Sequence, residues 1–161
     1  MCGIAGYINL NDEPASEAVV KQMTDAIEHR GPDGEGQWIE RNVGLGHRRL
    51  AIIDPSPAGQ QPMTTTDNRY IISYNGEIYN FRELRIELES LGVSFRSQTD
   101  SEVVLNALAK WGVDALLKFN GMFALALWDR ENKTLLLARD RFGIKPLYYA
   151  KQGKTFAFGS E

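Results

Sequence analysis

The sequence predicts an α+β fold in which one antiparallel sheet packs on another and helices flank the pair. Three observations carry this reading. Strand-like runs are numerous, and from Gly121 onward they follow one another through short hairpin turns. The helical patterns are few and amphipathic, two of them consecutive. Most telling is Met122 to Trp128, which is apolar on both faces: Phe123, Leu125 and Leu127 point one way, Ala124, Ala126 and Trp128 the other. Only a strand covered on both sides needs such a pattern. At 161 residues the chain fits one domain with a sizeable core, spanning residues 1–161.

Each element follows from its local pattern. Gly3 to Ile8 is small, apolar and uncharged, and reads as a buried strand. Asn9 to Pro14 is polar and turn-rich. Ser16 to Arg30 repeats apolar residues at Val19, Met23, Ala26 and Ile27, the spacing of a helix, and Gly31-Pro32 ends it. After the glycine-rich loop Gly31 to Gly36 come strand-like runs at Gln37 to Glu40, Val43 to Gly46 and Arg49 to Ile53, the last ended by Asp54-Pro55. Pro55 to Asn68 has no periodicity, and its length predicts an ordered loop over a site. Tyr70 to Tyr74 is a strand running into Asn75-Gly76-Glu77. Asn80 then predicts the cap of a helix through Leu91, with Leu84, Leu88 and Leu91 on one stripe and Gly92 at its end. Thr99-Asp100-Ser101-Glu102 fits a capping box opening a helix that carries Val104, Ala107, Leu108 and Trp111 and stops at Gly112. Strands over Met122 to Trp128, Thr134 to Arg139, Leu147 to Ala150 and Thr155 to Gly159 complete the chain.

Composition narrows the function. A net charge of −3 offers no basic field to nucleic acid or anionic lipid. One cysteine cannot form an internal disulfide, and no secretory signal or apolar run of spanning length is present. The expectation is a soluble protein of the cytoplasm, acting on neither nucleic acid nor membrane. His29 and His47 are the only histidines and have no further ligands at useful spacing, so no metal site is expected. Gly44-x-Gly46 precedes arginines rather than a helix and is a poor nucleotide signal.

The chemistry concentrates in four places. Cys2 follows the initiator methionine. Once Met1 is removed, one residue holds a thiol of ordinary pKa about 8.5 and an α-amine of about 7.7–8.0. A nucleophile then carries its own proton acceptor. Arg49, entering a strand, can grip a carboxylate with a planar fork. Asn75-Gly76 reads as a turn or, because a helix rather than a strand follows, as an oxyanion hole of one amide and one unobstructed N–H. Asp100, beside a helix N-terminus, stays ionised and can hold an ammonium. Nucleophile, oxyanion donors, carboxylate binder and ammonium binder together describe a site for an α-amino acid attacked at its side-chain carbonyl, and L-glutamine is the natural candidate.

The motifs Met1-Cys2-Gly3-Ile4-Ala5-Gly6, His29-Arg30-Gly31-Pro32-Asp33, Arg49-Leu50-Ala51-Ile52-Ile53-Asp54, Asn75-Gly76-Glu77-Ile78-Tyr79-Asn80, Thr99-Asp100-Ser101-Glu102 and Arg139 to Tyr149 occur in one order. Together they resemble the glutaminase domain of glutamine-dependent asparagine synthetases, class II glutamine amidotransferases of the N-terminal-nucleophile hydrolase superfamily. The resemblance covers essentially the whole chain. It implies a four-layer αββα sandwich and hydrolysis of glutamine to glutamate and ammonia through a thioester on Cys2. By it, Asn75 and Gly76 form the oxyanion hole, Arg49 holds the substrate carboxylate, and Asp100 and Glu77 hold its amino end. Backbone groups of Leu50 and Ile52 line the pocket. No cofactor is implied for this domain; ATP and Mg belong to a C-terminal synthetase domain that the resemblance implies and this chain lacks. A homodimer, a non-catalytic docking role and a different ammonia acceptor stay open at this point.

Overall fold

The computed structural model describes residues 1–52, 54 and 56–161. Ile53, the end of the strand-like run from Arg49, and Pro55, the start of the long loop, lie outside the described residues. A five-stranded antiparallel sheet contains β1 (Gly3–Asn9), β2 (Gly34–Glu40), β3 (Val43–Arg49), β8 (Tyr148–Gln152) and β9 (Thr155–Gly159), in the order β2-β3-β1-β9-β8. A four-stranded sheet contains β4 (Met63–Thr64), β5 (Tyr70–Ile78), β6 (Gly121–Asp129) and β7 (Thr134–Arg139), in that order. Helix α1 (Glu17–Ala26) lies on the first sheet, and α2 (Phe81–Ser90) and α3 (Asp100–Trp111) lie on the second. The layers are therefore helix, sheet, sheet, helix.

Strand β6 divides the interior as its sequence requires. Phe123, Leu125 and Leu127 join Ile72, Tyr74, Leu84, Leu88 and Leu105 in the core beneath α2 and α3. Ala124, Ala126 and Trp128 join Ile4, Leu45, Ile71 and Phe158 between the sheets. Full burial of such leucine and isoleucine side chains contributes about 1.5–3 kcal/mol each.

Several local readings are corrected by tertiary packing. On α1 the buried stripe is Val20 and Thr24, continued at Ile27, while Val19 is exposed. The helix sits so close to β3 that a Cβ at Gly44 would meet Val20 at 2.5 Å and one at Gly46 would meet Thr24 at 2.4 Å. The two glycines of Gly44-x-Gly46 thus serve helix docking. The α1 helix also ends earlier than expected, at Ala26, with Glu28–Arg30 forming a 3₁₀ turn. Strands β2 and β3 are longer than their apolar runs because they pair from Gly34↔Arg49 to Glu40↔Val43. Arg49 ends β3 rather than beginning a further strand, and Ala51 and Ile52 carry no regular structure.

Asn80 occupies the cap position of α2 without capping it. Its side chain instead donates to Lys118 O and accepts from Asn120 N, tying the helix start to the segment before β6. At α3 half of the capping box forms: Thr99 Oγ1 accepts the Glu102 N–H at 3.2 Å. The Glu102 carboxylate turns away to the N–H groups of Arg96 and Ser97 and the Ser97 hydroxyl. A short helix α4 (Ala115–Lys118) has no counterpart in the sequence reading. The loop 56–68 is ordered around a 3₁₀ turn at Pro57–Gly59 and strand β4, and its Gly59 and Gln61 reach the cleft described next.

Candidate active site

A cleft opens at one end of the sandwich, where β1, β3 and β5 converge. It is lined by Cys2, Arg49, Leu50, Ile52, Asn75, Gly76, Glu77 and Asp100, so every candidate residue named above meets at one place. Cys2 immediately precedes β1 and shares the inward face with Ile4 by strand alternation. Its Sγ accepts the Leu50 N–H at 3.3 Å and lies 3.6 Å from Leu50 O. Leu50 therefore contacts the Cys2 thiol directly through its backbone groups. The Cys2 carbonyl accepts Arg30 Nε at 3.1 Å, and Arg30 Nη1 donates to Glu161 at 2.8 Å. The next residue, Gly31, lies so close to β3 that a Cβ there would stand 2.4 Å from the Arg48 carbonyl carbon. Burial pushes the Cys2 thiol up, and the Leu50 N–H offsets only part of that.

Asn75 and Gly76 lie within β5, opposite Ala124 and Phe123 of β6, and form no turn. Asn75 is 2% exposed, and its Nδ2 is buried without a hydrogen-bond partner among the described residues. Leaving such a donor unpaired costs about 1–3 kcal/mol. A group kept at that cost in a cleft wall suits an oxygen that arrives with a substrate.

The remaining walls are polar and already ordered. Arg49 donates from Nη1 to Ser56 O at 2.9 Å and from Nη2 to Asp54 O, so the loop aligns its guanidinium. Asp100, 4% exposed, accepts at Oδ2 the Tyr74 hydroxyl at 2.9 Å and the Ile78 N–H at 3.0 Å. Burial raises its pKa, and the Ile78 N–H and Tyr74 hydroxyl do not fully compensate. Glu77 lies half-buried in the same wall, and Ile52 contributes at the rim with its side chain largely exposed.

The structure adds residues that sequence reasoning missed. Gln61 and Ser101 line the cleft, and Gln61 bonds Tyr74 on both sides of its peptide unit. Lys145 is buried in the wall, with its Nζ 3.1 Å from Met1 Sδ. Its run, Arg139 to Tyr149, was visible in the sequence, but nothing local tied it to Cys2. His47, fully buried on β3, donates or accepts at Nε2 with Tyr74 O at 3.1 Å; a carbonyl can only accept, so Nε2 carries the proton. Burial lowers its pKa to about 4, and it is neutral.

A family model described as a glutamine amidotransferase domain matches residues 1–161. The chain is 43% identical over 164 residues to asparagine synthetase [glutamine-hydrolyzing] 3 of Bacillus subtilis, which covers all of this chain and 26% of that protein. It is 41% identical to putative asparagine synthetase [glutamine-hydrolyzing] 2 of Methanocaldococcus jannaschii, covering all of this chain and 34% of the relative. The chain thus spans about a quarter to a third of these relatives. Among solved structures, the glutamine phosphoribosylpyrophosphate amidotransferase of B. subtilis superposes with a TM-score of 0.83 at 20% identity, over 99% of this chain and 42% of that one. At that identity the likeness is one of fold. No helix among the described residues is long and apolar enough to cross a membrane.

Proposed function

Because this chain belongs to the glutamine amidotransferase domain family, we propose that its cleft hydrolyses L-glutamine to glutamate and ammonia at Cys2. Removal of Met1 frees the Cys2 amine, which accepts the thiol proton; a thiol whose pKa is raised by burial needs such a base. The thiolate attacks the side-chain amide carbon, and the carbonyl oxygen becomes an oxyanion that accepts hydrogen bonds from Asn75 Nδ2 and Gly76 N–H. The protonated amine returns its proton to the leaving nitrogen, the C–N bond breaks, and ammonia departs. Water, deprotonated by the same amine, then cleaves the γ-glutamyl thioester and restores the thiol. Arg49 holds the substrate carboxylate, and Asp100 with Glu77 holds its ammonium. No cofactor enters these steps.

The observation that carries this reading is the buried, unpartnered Asn75 Nδ2 in the same cleft as the Cys2 thiol. The remaining length of the relatives supports a second step in the full protein, in which a synthetase domain using ATP and Mg passes the ammonia to an acceptor, asparagine formation being the reading closest to the relatives' names. A catalytic thiol with no disulfide partner suits the reducing cytoplasm. The test is ammonia release from L-glutamine, without ATP, by chain whose N-terminal peptide mass shows Met1 removed. Cys2→Ala should abolish release while the circular dichroism spectrum is unchanged. Undiminished release would remove Cys2 from the mechanism.

A further inference from the structure

Strand β4 pairs with β5 for only two residues, Met63 opposite Ile72 and Thr64 opposite Ile71. Continuing that register places position 61 opposite Tyr74. The main chain does not continue there, yet the Tyr74 peptide groups are still paired. Gln61 Oε1 accepts the Tyr74 N–H at 2.7 Å, and Gln61 Nε2 donates to Tyr74 O at 3.2 Å. A primary amide offers the same donor and acceptor as a strand residue, so the side chain of Gln61 stands in for the strand that has left.

The consequence lies one step along the edge. In an antiparallel strand alternate residues turn their N–H and C=O groups to the same side. Tyr74 faces the β4 edge, as its bonds to Gln61 show, and Ile78 faces the same edge, where Asp100 takes its N–H at 3.0 Å. Gly76 lies between them and turns its N–H to that edge too. The β4 main chain has departed before it could cover Gly76, and Gln61 holds the edge in register up to the Tyr74–Asn75 peptide. The clamp is itself braced: Gln61 is 5% exposed, its Nε2 also reaches Ser101 Oγ at 3.3 Å, and His47 Nε2 donates to the same Tyr74 carbonyl.

We infer that Gln61 is a positioning residue of the oxyanion hole: by replacing a strand residue beside Tyr74 it fixes the Asn75 and Gly76 donors while leaving the edge at Gly76 open to the substrate. Gln61 never touches the reacting atoms; it acts through the peptide that carries Asn75. The inference rests on the glutaminase reading above.

The test is a double-mutant cycle on the processed chain, with kcat and KM for L-glutamine measured for wild type, Gln61→Leu, Asn75→Ala and the double variant. Misplacing aligned donors should lower kcat of Gln61→Leu by about 10- to 100-fold, with KM within about twofold. The same substitution should cost far less in the Asn75→Ala background, because the donor it positions is already gone. Three outcomes overturn the inference while leaving the glutaminase reading intact: kcat unchanged in Gln61→Leu, a loss confined to KM, or losses that multiply fully in the double variant. Absence of glutamine hydrolysis by wild type overturns both. Should Gln61→Leu fail to fold, Gln61→Glu is read in the same way, since it keeps the acceptor for the Tyr74 N–H and loses the donor to Tyr74 O. If neither variant folds, Gln61 is a structural residue and the inference falls.

Discussion

Two buried aspartates close strand edges in this molecule and differ in electrostatic state. Asp140, after β7, accepts the N–H groups of Phe123 and Lys145 at Oδ2 and of Phe142 and Ile144 at Oδ1. Burial raises its pKa, but these backbone donors outweigh it and hold the carboxyl below the ordinary range. Asp100 also accepts a strand N–H, from Ile78, and adds one hydroxyl, from Tyr74. These donors and the Ser101 N–H do not outweigh burial, to which the Glu77 carboxylate adds, and its pKa rises. Solvent barely reaches either residue, at 6% and 4% exposure. Asp100, however, lies deeper in the protein, has fewer backbone donors and faces the Glu77 carboxylate, so burial prevails there while the donors prevail at Asp140. Asp140 is saturated by the chain and shapes the turn that brings Lys145 to the cleft. Asp100 still lacks stabilisation, which the ammonium of the proposed glutamine substrate would supply.

Asp140→Ala gives the largest effect that contrast implies. Removing one acceptor for four backbone N–H groups should destabilise the fold by about 3 kcal/mol or more, with kcat per folded molecule little changed. An unfolding midpoint that stays in place would break the comparison, since Asp140 would then be no more structural than Asp100.

Acid titration separates the buried groups next. His47 has its pKa lowered to about 4 in the fold against an ordinary 6.5. The unfolded chain therefore binds the extra proton first, and stability is lost as pH falls from about 6.5 toward 4, by roughly 3 kcal/mol. Asp140 adds a loss lower down, as pH falls through its depressed pKa. Asp100 has the opposite sign: its protonation in the fold gains stability as pH falls through its raised pKa. Urea unfolding of wild type and His47→Gln across this range checks the assignment, and an equally steep decline in the variant would remove His47 from it.

The smallest stability change belongs to Asp100→Asn. Deleting a charge that burial disfavours should leave the unfolding midpoint level or slightly raised, by under about 1 kcal/mol. The KM for glutamine should meanwhile rise about tenfold as the ammonium loses its partner. A variant with lower stability and unchanged KM would make Asp100 a second Asp140.

What could be read from the chain before folding was whatever a few consecutive residues decide. Two-sided apolarity over Met122 to Trp128 required a strand between two cores, and Phe123 and Ala124 indeed face different ones. Turn chemistry and periodicity placed β7 and β9 to the residue and α2 and α3 within one or two. The residues that line the cleft were also legible, because a thiol, a guanidinium, an amide and a carboxylate are chemical groups that need no coordinates to name.

The tertiary structure decided what each of those groups is bonded to. Asn75-Gly76 has the composition of a turn, yet pairing with Ala124 and Phe123 extends it as strand, since a ladder between distant segments outweighs a local turn preference. Asn80 and Glu102 have the spacing of caps and spend their side chains elsewhere, on Lys118, Asn120, Arg96 and Ser97. Gln61, His47 and Lys145 gave no local signal, because their roles arise from contacts with Tyr74 and Met1, 13 to 144 residues away. Periodicity and capping are properties of neighbours along the chain. A hydrogen bond across a cleft depends on the packing of two sheets, and only the assembled sandwich leaves Asn75 Nδ2 buried and unpaired in the cleft wall while Gln61 and His47 hold the Tyr74 carbonyl beside it.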